Sequence, residues 1–285
     1  MVTRRSITRY SKAVDRAVEA ARADLTAFWD TLPFDDPAAC RDALADFVPR
    51  LAAQYGDVAA LAATEWYESE RDAAGVRSEY LATPAPSALP AQVEASVRAS
   101  AGHLWSDQQE KMLSDLMGGL QMWVKDAGRD TVLRNVRRDP ANPRWARVPR
   151  GAKTCAFCTM LASRGWVYAS KKTAGGMGNR FHHDCDCEIV PAFGDTDPKI
   201  DGYHPDRLET LYNEARSAAI MGGENPSDLN VLMRYARRAT PGAYADGVKD
   251  RPQTGLGGWC WADRTQSPQG RRTEALPATA PSSWF

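Results

Sequence analysis

The sequence predicts a mainly α-helical protein with a small α+β portion, in which short β-hairpins surround a metal site that stabilises them. Apolar residues recur at helical spacing through the first half of the chain, which is 285 residues long. Between residues 145 and 193 the pattern changes to Gly, Cys, His and β-favouring pairs. Four of the six cysteines lie in that segment, within residues 155–187. These observations predict a helical scaffold followed by a compact metal-binding portion.

Composition and charge are those of a globular protein in water. Hydrophobic residues make up 43% of the chain and charged residues 25%, and Lys+Arg and Asp+Glu both total 36. This balance does not indicate a nucleic-acid or membrane partner. No stretch approaches the roughly 20 apolar residues that a membrane span requires. Residues 1–10 are basic but lead into an amphipathic pattern, so we expect no signal peptide and a cytoplasmic site of synthesis.

Two long helices are predicted in the first eighty residues. Asp36 and Pro37 are a typical N-cap and first-turn pair for the second helix, which we expect to end near Arg71. Pro49 is expected to kink or split that helix. The first helix is predicted by apolar residues that recur every three or four positions, namely Ile7, Tyr10, Val14, Val18, Ala21, Leu25 and Phe28.

Proline and glycine divide the rest of the chain. Helical character resumes at about residue 90 and continues to about 137, with an expected break at Gly118-Gly119. Two more helices are predicted, from Pro205 to about Met221 and from Ser227 to about Arg238. We therefore expect an N-terminal helical region (1–82), central helices (83–140), a zinc-binding core (141–195), C-terminal helices (196–240) and a mostly disordered tail (241–285).

The cysteines lie in two short segments. Thr154-Cys-Ala-Phe-Cys158 spaces two thiolates so that both can reach one ion, and Phe181-His-His-Asp-Cys-Asp-Cys187 follows later in the chain. Tetrahedral zinc takes four Cys or His ligands, usually two from each of two segments. In a reducing cytoplasm, clustered cysteines favour a metal over a disulfide. The sequence therefore predicts a zinc site with the candidate ligands Cys155, Cys158, His182, His183, Cys185 and Cys187.

The second segment offers four candidates for two places around the zinc. His182 and Cys185 repeat the spacing of Cys155 and Cys158, whereas Cys185 and Cys187 would point the same way from a strand. We favour Cys155, Cys158, His182 and Cys185, with Cys187 as the closest competitor. Since the ligands are more than enough to close the shell, a structural zinc is favoured over a catalytic one.

Other interpretations of this region are weaker. Unrelated buried thiols or a disulfide would not explain why four cysteines and a His pair lie so close together in the sequence. A redox-active CxxC pair is usually surrounded by a βαβ pattern, which this segment lacks. Gly175-Gly-Met-Gly178 is not followed by Lys-Ser/Thr, so it does not indicate a phosphate-binding P-loop.

Basic residues are concentrated around the first cysteine pair. Residues 134–180 contain 11 Lys and Arg side chains and a single acid, Asp139. One interpretation is local, because cations offset the negative charge of several thiolates. The other is contact with the phosphates of DNA, to which Lys and Arg contribute sequence-independent affinity.

The cysteine segments resemble a known family. Residues 147–165 read Arg-Val-Pro-Arg-Gly-Ala-Lys-Thr-Cys-Ala-Phe-Cys-Thr-Met-Leu-Ala-Ser-Arg-Gly, and residues 182–191 read His-His-Asp-Cys-Asp-Cys-Glu-Ile-Val-Pro. This pattern resembles the core of phage Mu F-like minor head proteins, which carry a CxxC followed by an HxxCxC element that ends in Val-Pro. The resemblance is strongest over residues 130–195. The helical first half also resembles the longer versions of tailed phages of actinobacteria.

This resemblance implies a minor capsid protein that acts in head morphogenesis and virion assembly beside the portal. It implies portal and capsid proteins as partners, packaging together with DNA, and a location in the virion after assembly in the host cytoplasm. The basic residues 134–180 are the candidate DNA contact, and the lack of a long apolar stretch predicts no membrane partner. The matching positions are Cys155, Cys158, His182, Cys185 and Cys187, while His183 falls in a variable slot.

Some phage proteins of similar sequence are instead labelled capsid maturation proteases, which makes an enzyme the alternative. Outside the metal cluster, the candidate catalytic groups are Ser100, Ser163, His103 and His204. No G-x-S-x-G motif marks either serine, and no H-E-x-x-H motif indicates a zinc protease. We therefore assign no catalytic residue and favour a protein of head assembly over an enzyme.

Overall fold

A computed structural model describes residues 2–151, 153–167 and 185–246. The fold is mainly helical, with 63% of the described residues in helices, and has a small two-stranded antiparallel sheet. The predicted fold class is therefore confirmed in its helical content and its small β portion. The described residues all belong to one compact unit, which spans residues 1–251. In the described ranges, no helix is both long enough and apolar enough to cross a membrane.

Two long helices, α1 (Arg4–Trp29) and α2 (Pro37–Ala73), pack against each other. The predicted stripe of α1 is buried except at Phe28, which is half-buried. Asp36 caps α2 as predicted, because its Oδ1 accepts hydrogen bonds from the backbone N–H groups of Ala38 and Ala39. The expected split at Pro49 is wrong: α2 continues through this buried proline, since packing along the helix outweighs the lost hydrogen bond.

A non-helical connection leads from α2 to three further helical segments. These are α3 (Pro90–Ser100), a 3₁₀ helix (Ala101–Trp105) and α4 (Gln109–Arg138). The predicted break at Gly118-Gly119 is wrong, because α4 is continuous there. A Cβ on Gly119 would lie 2.9 Å from the Trp123 ring, so this glycine lets the indole pack against its own helix. The connection itself is fixed to α4, since Thr131 Oγ1 accepts a hydrogen bond from Ala85 N.

The sheet pairs β1 (Arg144–Pro149) with β2 (Cys187–Ala192) in antiparallel register, with Arg147 opposite Ile189 and Pro149 opposite Cys187. Helix α5 (Ala156–Ala162) lies between these strands in the sequence. The β-favouring pair Trp166-Val167 does not form a strand: Trp166 lies in a turn and Val167 has no regular structure. Tyr168 lies outside the described residues.

Two C-terminal helices follow the sheet, α6 (Pro205–Met221) and α7 (Leu229–Ala239). Both were predicted, although α7 starts after an Asp228 N-cap rather than at Ser227. His204 is the N-cap residue of α6, but its side chain makes no capping hydrogen bond. Beyond α7, residues 241–246 fold back on the cysteine segment, since Ala245 N donates to Thr154 O over 2.9 Å. The tail predicted from residue 241 therefore begins with a packed segment.

Candidate metal centre

The first cysteine pair forms the start of α5. Cys155 is the N-cap residue of that helix, and its Sγ accepts a hydrogen bond from the backbone N–H of Cys158 at 3.2 Å. A thiol replaces the usual Ser or Asp oxygen as the cap, so the CxxC turn and the helix N-terminus are one structure. Cys155 is 6% exposed and Cys158 is fully buried. Both sulfurs therefore lie inside the protein.

The second pair comes from the edge of the sheet. Cys187 is the first residue of β2, and Cys185 lies two residues before it, so both side chains lie on the same side of the strand direction. The Sγ atoms of Cys158, Cys185 and Cys187 all lie within 4.8 Å of one another. We call these three buried residues the cysteine cluster. The Sγ atoms of Cys158 and Cys185 are 3.3 Å apart.

These distances fit a metal. In a tetrahedral zinc site the Zn–S bond is about 2.3 Å, so two sulfur ligands lie about 3.8 Å apart. Hydrogen bonds from the neighbouring thiols, Cys155 first, hold the pKa of Cys158 well below its ordinary value. Cys158 therefore favours the thiolate, which is the form that binds a metal, whereas burial and the neighbouring sulfurs raise the pKa of Cys187. Three buried cysteines are close enough to bind one ion.

Arg147 lies against the sulfurs. Its Nη2 donates to Cys185 Sγ at 3.3 Å and to Cys158 Sγ at 3.5 Å, and the side chain is completely buried. Burial alone would lower the pKa of Arg147, but negative charge on Cys158, Cys185 and Cys187 raises it above its ordinary value. The cluster thus holds a buried cation in direct contact with its sulfur atoms.

A second buried arginine fixes the backbone of the cluster. Arg129 of α4 donates from Nη2 to the carbonyl oxygen of Cys185 at 2.9 Å and from Nε to that of Cys187 at 3.1 Å. Its Nη1 also pairs with Asp126 at 3.1 Å. Unlike Arg147, Arg129 contacts carbonyl groups of the cysteines in these hydrogen bonds. It therefore ties the sheet edge to the central helix.

Two aspartates hold the loops around the cluster. Asp186, between the two cysteines of the second pair, accepts a hydrogen bond from Thr154 Oγ1 at 2.6 Å. Asp246 accepts one from Ala156 N at 2.9 Å, which satisfies a free N–H in the first turn of α5. Asp246 also pairs with Arg237 of α7. The CxxC turn is thus held by hydrogen bonds to Asp186, in the second cysteine segment, and to Asp246, after α7.

The structure brings together only part of the predicted ligand set. Cys158, Cys185 and Cys187 form the cluster, and Cys155 is joined to it through the α5 cap. Cys187, the competitor in the sequence interpretation, is therefore inside the cluster. His182 and His183 lie outside the described residues, as does Gly175-Gly-Met-Gly178.

Sequence reasoning did not identify Arg129, Arg147 and Asp246 as neighbours of the cysteines. Arg147 was one of many cations in a basic segment, and only its alternation with apolar residues in Trp-Ala-Arg-Val gave a sign that it belongs to a strand. Arg129 lies in a helix without a local motif. Asp246 lies in a segment that reads as disordered.

The basic segment is less available to a partner than its charge count suggests. Arg144 pairs with Asp197, and Arg150 pairs with Asp15 and Glu188. Arg147 is buried. The exposed cations at the end of α4 are Arg137 and Arg138.

The candidate protease groups are not joined by hydrogen bonds in the described ranges. Ser100 Oγ donates to the carbonyl of Val97 and Ser163 Oγ to that of Met160, both within their own helical turns. His103 Nε2 lies 3.2 Å from Lys111 Nζ. A serine nucleophile needs a neighbouring base, and neither serine has His103 as a hydrogen-bond partner there.

The fold and the centre define a class of protein: a mainly helical chain whose small sheet carries a buried cysteine cluster suited to a metal. Within that class, the chain belongs to the VG15 protein family, whose family model matches residues 1–215.

Two curated relatives are phage proteins. The Gene 15 protein of Mycobacterium phage D29 is 34% identical, over 25% of this chain and 36% of the relative. The Gene 15 protein of Mycobacterium phage L5 is 32% identical, over 25% of this chain and 37% of the relative. The match thus spans little more than a third of the length of these relatives. No solved structure matches the chain. Family and relatives together indicate a phage protein.

Proposed function

We propose that this chain is a minor capsid protein that acts in phage head morphogenesis, with a structural role near the portal. The observation that carries the proposal is the buried cysteine cluster, which lies within the segment that resembles Mu F-like minor head proteins. The family match and the phage relatives support a role in the virion. A buried cluster that is surrounded by fixed loops suits a scaffold rather than an active site.

We propose a structural zinc as the metal. Cys158, Cys185 and Cys187 would supply three ligands, and Cys155 and His182 compete for the fourth position. Cys155 is the stronger competitor, because its Sγ already accepts a hydrogen bond from the Cys158 backbone in a closed CxxC turn. With four protein ligands the shell has no open position for water, so the ion would stabilise the fold.

Metal content tests this site directly. Purified protein should contain about one zinc per chain, and Cys158→Ser should lower both the zinc content and the melting temperature. Cys40→Ser is the matched control, because Cys40 is also buried but bonds to the carbonyl of Pro33, away from the cluster. A metal-free protein with an unchanged melting temperature would contradict the structural zinc.

Co-expression tests the assembly role. The chain is produced with the portal and capsid proteins of the same phage genome, and assembled particles are isolated. We expect the chain in the particles and capsid subunits of unchanged length. Shortened capsid subunits, with shortening that stops in His103→Ala or Ser163→Ala, would instead show a capsid maturation protease.

Contact with packaged DNA is a separate part of the proposal. It would depend on exposed cations such as Arg137 and Arg138, since Arg144 and Arg150 are engaged in ion pairs. The double change of Arg137 and Arg138 to Ala should weaken retention on DNA at low salt and flatten its salt dependence. Arg50→Ala is the control, because Arg50 is an exposed cation of α2 that lies outside the basic segment and pairs with Asp46. Absence of retention by the unchanged protein would remove this contact.

A further inference from the structure

The cysteine cluster would hold buried negative charge when a metal is bound, and Arg147 lies where it can compensate that charge. A zinc ion bound by three or four thiolates carries net negative charge, and burial of such a charge is costly unless it is paired. The cluster is buried, with Cys158 and Cys187 at 0% exposure and Cys185 at 1%. Water therefore cannot supply the compensation, and a protein group has to supply it.

The sheet register places Arg147 at this point. Arg147 lies opposite Ile189, and Pro149, two residues later on the same face of β1, lies opposite Cys187. The side chain thus shares a face of the sheet with Cys187. Its guanidinium reaches two sulfurs, Cys185 Sγ at 3.3 Å and Cys158 Sγ at 3.5 Å. One planar donor group therefore bridges the two segments that supply the ligands.

Arg129 provides an internal comparison. It is almost as deeply buried as Arg147, and it lies beside the same cysteines. However, its hydrogen bonds to them end on the carbonyl oxygens of Cys185 and Cys187. It positions the backbone, whereas Arg147 contacts the atoms that would bind the metal. The hydrogen bond with Cys158 raises the pKa of Cys185, and the charge of Arg129 opposes that rise. Comparison of the two residues therefore separates the direct hydrogen bonds of Arg147 to sulfur from the effect of a nearby charge.

We propose that Arg147 is the counter-charge of the thiolate centre, and that its hydrogen bonds to Cys158 and Cys185 lower the reactivity of the metal-bound sulfurs. This inference rests on the proposed zinc site. A hydrogen bond from a cation withdraws electron density from a thiolate, and a less basic thiolate is a weaker nucleophile. Arg147 therefore makes the metal-bound sulfurs less reactive toward electrophiles.

Cobalt provides a spectroscopic test that folding alone does not affect. The full-length protein and its variants Arg147→Met, Arg147→Lys and Arg129→Met are loaded with Co²⁺. In Arg147→Met we expect the sulfur-to-cobalt charge-transfer band to move to lower energy, because the sulfur electrons are less stabilised. Arg147→Lys, which keeps the charge but loses the planar fork, should give a smaller shift in the same direction. Arg129→Met, which removes a nearby charge but keeps the Arg147 hydrogen bonds to sulfur, should shift the band less than Arg147→Met does.

Alkylation provides a second measurement on the zinc-loaded proteins. Zinc release is followed with a chromogenic chelator after addition of N-ethylmaleimide. We expect release from Arg147→Met to be about 10- to 100-fold faster, the range typical of losing a partner of a metal ligand. Arg129→Met should accelerate release less than Arg147→Met does, at a temperature where both variants are folded.

Several outcomes would overturn the inference. An unchanged band together with an unchanged alkylation rate in Arg147→Met would do so, as would equal effects in Arg129→Met. If Arg147→Met does not fold, Arg147→Lys is used in its place. A cobalt band and an alkylation rate of Arg147→Lys that both equal those of the unchanged protein would then contradict the inference. Failure of the unchanged protein to bind cobalt or zinc would refute the zinc site itself, which is a different result.

Discussion

Arg71 and Asp139 form an ion pair that joins the end of α2 to the end of α4, with Arg71 Nε 2.9 Å from Asp139 Oδ2. Asp139 is the C-cap residue of α4, and its side chain is fully buried. Tyr67 donates a second hydrogen bond to the same oxygen at 3.0 Å, and Ala141 N donates to Oδ1 at 2.9 Å. The single acid of the basic segment is therefore an internal structural group.

Asp139→Asn should destabilise the protein by about 3 kcal/mol, since removing one partner leaves the other charge buried and uncompensated. Urea unfolding monitored by circular dichroism measures the change. Asp46→Asn, which breaks the exposed pair with Arg50, is the matched control and should leave the unfolding free energy nearly unchanged. Equal effects of the two changes would contradict this interpretation.

Gly128→Ala should destabilise the protein by about 1–3 kcal/mol. A Cβ at this position of α4 would lie 2.5 Å from Tyr10 Oη and 3.4 Å from Ala59 O. Tyr10 cannot move away easily, because it is buried and stacks on Trp66 with ring centroids 4.6 Å apart. The clash should exceed the roughly 1 kcal/mol that Ala gains over Gly in a helix.

The control for Gly128 is Gly102→Ala, because a Cβ on Gly102 meets no atom within 4 Å. Thermal unfolding of both variants separates the clash from the general effect of replacing glycine. A variant Gly128→Ala as stable as the original would show that α1 and α4 do not pack as closely as described.

Glu70 should make stability depend on pH. Burial raises its pKa above the ordinary value of 4.5. Between that value and the raised one, the folded protein holds a proton that the unfolded chain has released, so stability falls as pH rises through this window. Glu70→Gln removes the titration and can still accept a hydrogen bond from Ser6, the partner of Glu70 in α1.

We therefore expect the stability of Glu70→Gln relative to the original protein to increase from about pH 4 to about pH 7. Urea unfolding at both pH values measures this difference. Glu65→Gln, a change at an exposed position on the same helix, is the control for the general effect of replacing a glutamate. A constant difference at the two pH values would mean that Glu70 titrates alike in the folded and unfolded states.

The fourth ligand of the metal can be identified in the cobalt-loaded protein. If Cys155 binds the ion, Cys155→Ser should lower the sulfur-to-cobalt charge-transfer intensity by roughly one part in four, because one of four thiolates is lost. His182→Ala should leave that spectrum unchanged, with His183→Ala as its control. The reverse result, a change in His182→Ala alone, would assign the position to His182.

Local sequence patterns predicted the helices well where one face of the helix is buried against the rest of the protein. The α1 stripe from Ile7 to Leu25 is buried as its spacing indicates, and Asp36 caps α2. The wrong split at Pro49 and the wrong break at Gly118-Gly119 have one cause. Local rules penalise these residues, but neighbouring helices and Trp123 supply packing that a short sequence window does not contain.

The centre was predictable in its cysteines and not in its surroundings. Spacing identified the two segments, and strand alternation gave the reason to keep Cys187 as a candidate. The roles of Arg147 and Arg129 depend on the register of β1 with β2 and on the approach of α4. Such contacts join residues far apart in the sequence, and no local motif encodes them.

The strand β2 is held by three separate parts of the chain. It pairs with β1, Arg129 of α4 binds the carbonyl of Cys187, and Ser11 of α1 donates to Glu188 Oε1 at 3.0 Å. No single helix can therefore detach and expose this strand while the other two contacts remain. The hydrogen-bonded amides of β2 should exchange with deuterated solvent only when the whole fold opens, which would make this short strand as protected as the buried helices that the structure describes.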